Sequence, residues 1–306
     1  MDTKLSVVTG VTGYTGKYIA QRLLSMGERV KSLTGHLKRE NPFNGQVEIL
    51  PYNFENKAAL TMNIEGATTL YNTYWVRFCH GQVTYDLAVR NTKILLEAAK
   101  SAGIRKIVHV SIANPNEISP LPYYRGKAVL EKVVMESGLN YAIVRPTVIF
   151  GIEDILINNI AWLLRKFPVF AVAGTGNYGI QPIFVEDMAD LCVSLAHQER
   201  NAVVDAVGPQ TFNFVELVRL IREKTHSKAK IIHLSPGVLL AVSRLVGRFI
   251  GDVVLTPEEI KGLMSNVLVS SNPPTGKTRF SEWLNRNAGI LGQRYACEIK
   301  RHYKFN

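Results

Sequence analysis

The spacing of apolar positions changes several times along this chain, and each change marks an element. Leu5, Val7 and Val8 form a short apolar run of the kind found in buried parallel strands. After Thr9–Gly16 the period becomes helical, with Ile19, Leu23 and Leu24 on one side, and Gly27 ends that helix. Strands are predicted at Arg29–Thr34, Val47–Tyr52 and Thr68–Asn72, with a short helix over Lys57–Ile64. A long helix follows from Val83 to Ala102, carrying Leu87, Ile94, Leu95 and Ala98 at helical spacing and stopping at Gly103. The strand Lys106–Ser111, a proline-rich loop, the helix Tyr124–Ser137 and the strand Tyr141–Arg145 complete six β-α units. Such alternation implies a parallel sheet with right-handed crossovers.

Past Gly151 the rhythm is less regular. Helices are predicted at Ile155–Lys166, Glu186–His197 and Phe214–Thr225. Strands are predicted at Gln181–Val185, Asp205–Val207 and Ile231–Leu234, and the remainder reads as mostly helical. The expected fold class is α/β: a Rossmann doubly wound parallel sheet with a smaller, mostly helical C-terminal substrate lobe. Residues 1–151 would form the nucleotide-binding core, with a late strand-helix at 180–199 returning to it. Residues 152–179 and 200–306 would form the covering lobe.

The turn between the first strand and helix carries Gly10, Gly13 and Gly16. Gly10 permits a tight turn, Gly13 lets the backbone approach a pyrophosphate, and Gly16 lets the helix pack closely on the strand. The free N–H groups at the helix start then face the anion, with Thr12, Tyr14 and Thr15 beside it. The residue about 20 positions on decides the cofactor: an acid holds the ribose 2′-OH of NAD, a base accommodates the 2′-phosphate of NADP. From Arg29 to Arg39 no acid occurs, whereas Thr34, His36, Lys38 and Arg39 follow the second strand. NADP is therefore favoured, with NAD as the alternative. Asn53 and Phe54, after the third strand, stand where this fold usually brings a polar and an apolar side chain to the adenine. Thr73–Phe78 puts three large rings at the carboxyl end of the fourth strand. They are either core or the wall of a ligand site.

Tyr123 and Lys127 lie four residues apart at a helix start, hence on one face. A free phenol ionises near pH 10; an adjacent ammonium stabilises the phenolate and makes the Tyr a usable proton donor and acceptor.

Four segments together resemble the extended and atypical short-chain dehydrogenase/reductases, also described as NAD(P)-dependent epimerase/dehydratase-like proteins: Thr9–Gly16, Ile107–Ser111, Tyr123–Lys127 and Arg145–Gly151. Gln181–Ala189 matches the late strand-helix of that group. The branch resembled includes the nucleotide-binding accessory subunit of respiratory complex I. By that resemblance Tyr123 is the general acid/base, Lys127 its partner and a ligand of the nicotinamide ribose, and Pro146 and Val148 lie against the nicotinamide. The group's third catalytic residue is a Ser or Thr near the end of the fifth strand. Val110-Ser111-Ile112-Ala113 offers one hydroxyl, and the best register puts Ile112 where that residue stands, which leaves Ser111 as the candidate. The complex I-like relatives bind the cofactor without known turnover.

Composition narrows the classes. With 306 residues, 46% of them hydrophobic, the chain is long enough for a substantial core. The formal charge is +11, and residues 277–306 hold seven Lys/Arg against two Asp/Glu. No Lys/Arg cluster is interleaved with aromatics, so no nucleic-acid partner is expected; a small-molecule substrate is. Cys79, Cys192 and Cys297 show no metal spacing, and the histidines form no ligand pair, so no metal is expected. The first strand begins so early that no signal peptide is expected, and a cytoplasmic monomer or homodimer is the default. Gly237–Leu255 is apolar but interrupted by Arg244, Arg248 and Asp252; it reads as a core helix of the lobe, with peripheral membrane contact as the alternative. Thr275-Gly276-Lys277-Thr278 imitates the end of a phosphate-binding P-loop, but Ser271 stands where that motif requires Gly.

Overall fold

The computed structural model describes residues 4–303. In chain order its elements are β1 (Leu5–Thr9), α1 (Tyr14–Ser25), β2 (Arg29–Thr34), β3 (Val47–Pro51), α2 (Lys57–Ile64), β4 (Thr69–Asn72), α3 (Tyr85–Ser101), β5 (Lys106–Val110), α4 (Pro122–Met135) and β6 (Asn140–Pro146). Then come β7 (Val148–Phe150), α5 (Leu156–Lys166), β8 (Val169–Ala173), β9 (Gly179–Ile180), β10 (Pro182–Phe184), α6 (Val185–Ala196) and β11 (Ala202–Ala206). The last are β12 (Phe212–Asn213), α7 (Phe214–Lys224), β13 (Lys230–Leu234), α8 (Pro236–Ile250), α9 (Pro257–Met264), α10 (Phe280–Asn287) and a π-helical turn at Ile299–Tyr303. The described residues divide into two compact units, the first running to Pro146 and resuming over Met188–Asp205, the second comprising Thr147–Asp187 and residues 206–303.

The first unit is built on a seven-stranded sheet ordered β11-β6-β5-β4-β1-β2-β3. β1 pairs in parallel with β2 and β4, β2 with β3, β4 with β5, and β5 with β6. The chain leaves β1 toward β2 and β3 on one side and returns to β4, β5 and β6 on the other. The strand order therefore reverses between β1 and β4, the switch point where doubly wound folds bind ligands at the carboxyl ends of the strands. β4 and β5 are buried at every position, as a sheet covered on both faces requires. Val7, Leu33, Leu70, Ile107 and Ile143 from the strands pack with Leu60, Ile64, Leu95 and Val134 from the helices. Local chemistry sets the helix ends. The Thr84 side chain accepts from the Leu87 N–H at 3.1 Å and starts α3, and Gly103, at φ +77°, follows its last turn.

As the order of predicted elements implies, one connection of the sheet is not a β-α unit. No helix joins β2 to β3; the connection is a run of turns. Its sequence explains this. Asn41 hydrogen-bonds locally, accepting from the Phe43 N–H, Pro42 follows it, and Asn44 and Gly45 both adopt positive φ.

In the second unit β8 and β13 pair in parallel, β7 pairs in parallel with β10, and β9 pairs antiparallel with β12. Its core joins Phe150, Phe280 and Trp283, with the Phe150 ring edge-on to Phe280 at 5.0 Å and to Trp283 at 5.1 Å between centroids, to apolar positions of α5 and α7. β8 was not foreseen, because Val169–Ala173 is a short apolar run that periodicity cannot distinguish from a helix end. Buried Asp252, just past α8, accepts from the Tyr295 hydroxyl and from the Glu298 and Ile299 N–H groups, which ties the C-terminal segment to the end of that helix.

Candidate functional site

The glycine turn is formed as its spacing requires. Gly10 has φ +70°, and its N–H donates to the Leu33 carbonyl at 2.8 Å, which locks the turn onto β2. The Gly13 N–H donates to the Gly10 carbonyl at 2.8 Å. A Cβ on Gly16 would lie 2.6 Å from the Gly10 carbonyl oxygen and 2.7 Å from that of Thr9, so only glycine allows α1 to start this close to β1. Gly13 caps the helix without a side-chain hydrogen bond, and no acidic residue occupies the first turn. The α1 N-terminus thus presents backbone donors and a positive dipole end, with no acidic side chain in its own first turn. Thr12, Tyr14 and Thr15 are partly accessible around it.

The carboxyl ends of β1 and β4 are stitched together by hydroxyls. The Thr73 N–H donates to Thr9 Oγ1 at 2.7 Å, and the Thr73 hydroxyl donates to the Thr9 carbonyl at 2.6 Å. After β2, buried Thr34 accepts from the His36 N–H at 3.0 Å, which turns the chain so that His36, Lys38 and Arg39 follow β2 directly. After β3, Asn53 takes positive φ (50°) and Phe54 stacks on Tyr52 at 4.7 Å, with Tyr74 closing the group at 5.4 Å from Phe54. Burial pushes the Tyr52 phenol well above its ordinary range and raises that of Tyr74, so both are neutral ring walls.

The end of β5 and the start of α4 bring together titratable and polar side chains. Asn72 and His109 are register partners on β4 and β5. The Asn72 carbonyl oxygen accepts from the Tyr74 N–H, which fixes the amide so that its nitrogen donates to His109 Nδ1 at 3.1 Å. That assigns the ring proton to Nε2. Burial, and secondarily the Lys127 charge, hold the His109 pKa well below its ordinary value, so the ring is neutral. His109 Nε2 and Ser111 Oγ are both buried without a hydrogen-bond partner. Residues two apart on a strand point to the same face, so these two polar atoms lie on one side of the sheet end. Ile112 is buried beside them.

Tyr123, half-buried, lies in a group of rings: edge-on to Trp75 at 5.8 Å and to Tyr85 at 6.0 Å, with Trp75 stacked on Tyr85 at 5.7 Å. Gly126 makes room for Trp75, because a Cβ there would come within 2.8 Å of the indole. Lys127 is buried, donates to the Val110 carbonyl at 2.8 Å, and sits 4.7 Å from the centre of the Trp75 ring. Desolvation lowers its pKa to about 7, against a smaller opposing pull from Glu131. The sign for stability follows. Below pH 7 the lysine is protonated both folded and unfolded, and its buried charge is a full cost. Between pH 7 and about 10.4 only the unfolded chain holds the proton, so stability rises with pH. Urea melts at pH 7 and pH 9 are expected to show this rise in the native chain and not in a Lys127→Met variant; equal pH dependence in both would refute it.

Tyr123, Lys127 and Ser111 therefore all belong to the first unit, as do Gly10–Gly16, Thr34, His36, Arg39, Asn53 and Phe54. Pro146 ends β6, its carbonyl accepting from the Ala113 N–H at 2.8 Å, and Val148 lies in β7 of the second unit. Sequence reasoning missed His109 and the Trp75–Gly126 pairing. A histidine inside the apolar strand Lys106–Val110 was a visible signal; the fit of Gly126 to an indole 51 positions earlier was not.

The residues fit a nicotinamide dinucleotide on the structure's own terms: a turn too tight for any side chain at Gly16, an uncapped helix start, and two orphaned polar atoms at the β5 end. The profile of an NAD(P)H-binding family matches residues 10–153. The chain is similar to NADH dehydrogenase [ubiquinone] 1 alpha subcomplex subunit 9, mitochondrial, of Arabidopsis thaliana, at 22% identity over 288 residues, covering 88% of this chain and 71% of that protein. It is also similar to the photosystem II assembly factor Ycf39 of Cyanidium caldarium, at 24% identity, covering 79% of this chain and 78% of that one. Among solved structures, an Escherichia coli NADPH-dependent quinone oxidoreductase complexed with NADPH superposes with a TM-score of 0.71 at 19% identity, covering 92% of this chain and 99% of that chain; this likeness is one of fold.

Proposed function

We propose that this chain, whose residues 10–153 match an NAD(P)H-binding family and which resembles the extended and atypical short-chain dehydrogenase/reductases, is an NADPH-preferring oxidoreductase or epimerase-type enzyme acting on a C–OH/C=O group of a small, partly apolar substrate. The observation that carries this reading is Tyr123 at the start of α4 with the Lys127 ammonium one turn on, beneath the Trp75–Tyr85 rings. When bound, the nicotinamide supplies or accepts a hydride. The chain's own groups do the rest. Backbone donors at the α1 start hold the diphosphate. Lys127, when charged, favours the Tyr123 phenolate, and Tyr123 gives or takes the proton at the substrate oxygen. Ser111 and His109 Nε2–H offer hydrogen bonds at the β5 end, and the ring walls exclude water, which strengthens each of these interactions. A cytoplasmic location is part of the same proposal.

The basic segment after β2 favours NADPH over NADH, since from Arg29 to Arg39 no carboxylate occurs to repel a 2′-phosphate or hold a free 2′-hydroxyl. Titration calorimetry is expected to give NADPH at least about tenfold tighter binding, the size of one charge-assisted hydrogen bond. A tenfold preference for NADH would overturn this choice.

A second reading has its own support: a cofactor-binding structural or regulatory protein with little turnover, associated with a membrane or quinone-related complex. Ile112 stands in for a catalytic hydroxyl, Lys127 is turned to a backbone carbonyl under Trp75, and two relatives bear the names of a respiratory subunit and an assembly factor. The test is NADPH oxidation by the full chain across aldehydes, ketones and quinones. Turnover that depends on Tyr123 supports the enzyme; none with any acceptor, or turnover indifferent to Tyr123, favours the second reading.

A further inference from the structure

The expectation that Gly237–Leu255 forms a core helix is corrected by the burial of α8. Only Leu239, Ser243 and Gly247 of Pro236–Ile250 are buried, a single line at four-residue spacing. Gly247 is pressed against its own chain, since a Cβ there would lie 2.5 Å from the Asp252 carbonyl oxygen. A different line is exposed: Val238 at 50%, Val242 at 42%, Leu245 at 59% and Phe249 at 83%. Their spacing of four, three and four residues puts them on one stripe, turned roughly 130° from the buried line at about 100° per residue. A soluble helix normally covers such a stripe or fills it with charges.

We propose that α8 seats this stripe on an anionic lipid surface. Charge selects this occupant. Arg248 and Arg244 are exposed roughly 90° and 130° round the helix from the stripe centre, on the side away from the buried line, where long side chains lay their stems along the helix and reach the phosphate level. The helix contains no acid, and from Arg219 through Gly251 there are seven Lys/Arg against the single acid Glu223. The same stretch forms an open basic cleft of about 530 Å³ lined by Arg219, Arg222, Glu223, His226, Ser227 and Lys228. A second copy of this chain would bring the same positive charges to face themselves. No helix among the described residues is long and apolar enough to cross a membrane, so the contact is peripheral.

The experiment is flotation of the full chain with vesicles of phosphatidylcholine plus phosphatidylglycerol, and with phosphatidylcholine alone. The native chain is expected to float with the mixed vesicles, less so as salt rises. Leu245→Asp/Phe249→Asp should weaken this at least about tenfold, and Arg244→Gln/Arg248→Gln by a similar factor, with thermal melting and NADPH affinity unchanged because all four side chains are exposed. Absence of flotation at low salt, equal binding to both vesicle types, or aspartate variants that float like the native chain would each overturn the proposal. So would a dimer by light scattering that the aspartate substitutions dissolve, which would assign the stripe to a second copy. NADPH binding is measured in the same samples, so failure here leaves the cofactor site untouched.

Discussion

Replacing Gly16 with valine is expected to weaken NADPH binding by about a hundredfold or more. The glycine hydrogen points into a space bounded by two backbone carbonyl oxygens, 2.6 and 2.7 Å from where a Cβ would sit. Neither oxygen can rotate away as a side chain would, because Gly10 is bonded to Leu33 and Thr9 is held by Thr73. The α1 start must therefore move off β1, and its donors move with it. Losing one or two charge-assisted hydrogen bonds to the diphosphate, at roughly 1.5–3 kcal/mol each, gives that factor. Calorimetric titration checks it, with circular dichroism to establish that the variant folds. Gly13→Ala is the graded control: its Cβ would meet the Gly10 oxygen at 3.1 Å, a contact relieved by a small shift, and about a tenfold loss is expected. Gly16→Val binding within threefold of the native chain would contradict the diphosphate site itself.

Tyr123→Phe is expected to lower kcat by about 10²–10⁴, the usual contribution of a positioned acid/base, with NADPH affinity unchanged. The substitution removes the phenol oxygen alone. The ring that meets Trp75 and Tyr85 edge-on remains, so the walls of the site and the seat of Lys127 are preserved. The loss therefore belongs in kcat and not in cofactor binding. A variant that keeps more than about a third of native turnover would remove Tyr123 from the chemistry and favour the second reading.

The parts of the fold that were legible in the sequence are those set by neighbours in the chain. The three glycines, the apolar strand before them and the amphipathic helix after them are all local, and the structure bears out the doubly wound parallel sheet they implied. Thr84 and Gly103 likewise bracket α3 through local hydrogen bonding and φ. The helix-free β2–β3 connection follows the turn chemistry of Asn41–Gly45, which is local as well. α8, by contrast, was misjudged. Periodicity shows that a helix has apolar faces but not which of them the rest of the chain covers.

By itself, then, the sequence determined a glycine-spaced strand-turn-helix, a basic segment after the second strand, and a Tyr and a Lys on one helical face. Each follows from covalent spacing acting over one or two turns of chain. Tertiary structure alone decided that Lys127 is desolvated beneath Trp75, that His109 is neutral with its Nε2–H unpartnered beside Ser111, and that α8 leaves an apolar stripe uncovered. Desolvation, hydrogen-bond saturation and surface coverage are properties of what lies near in space, and the partners that set them here stand tens of residues apart along the chain.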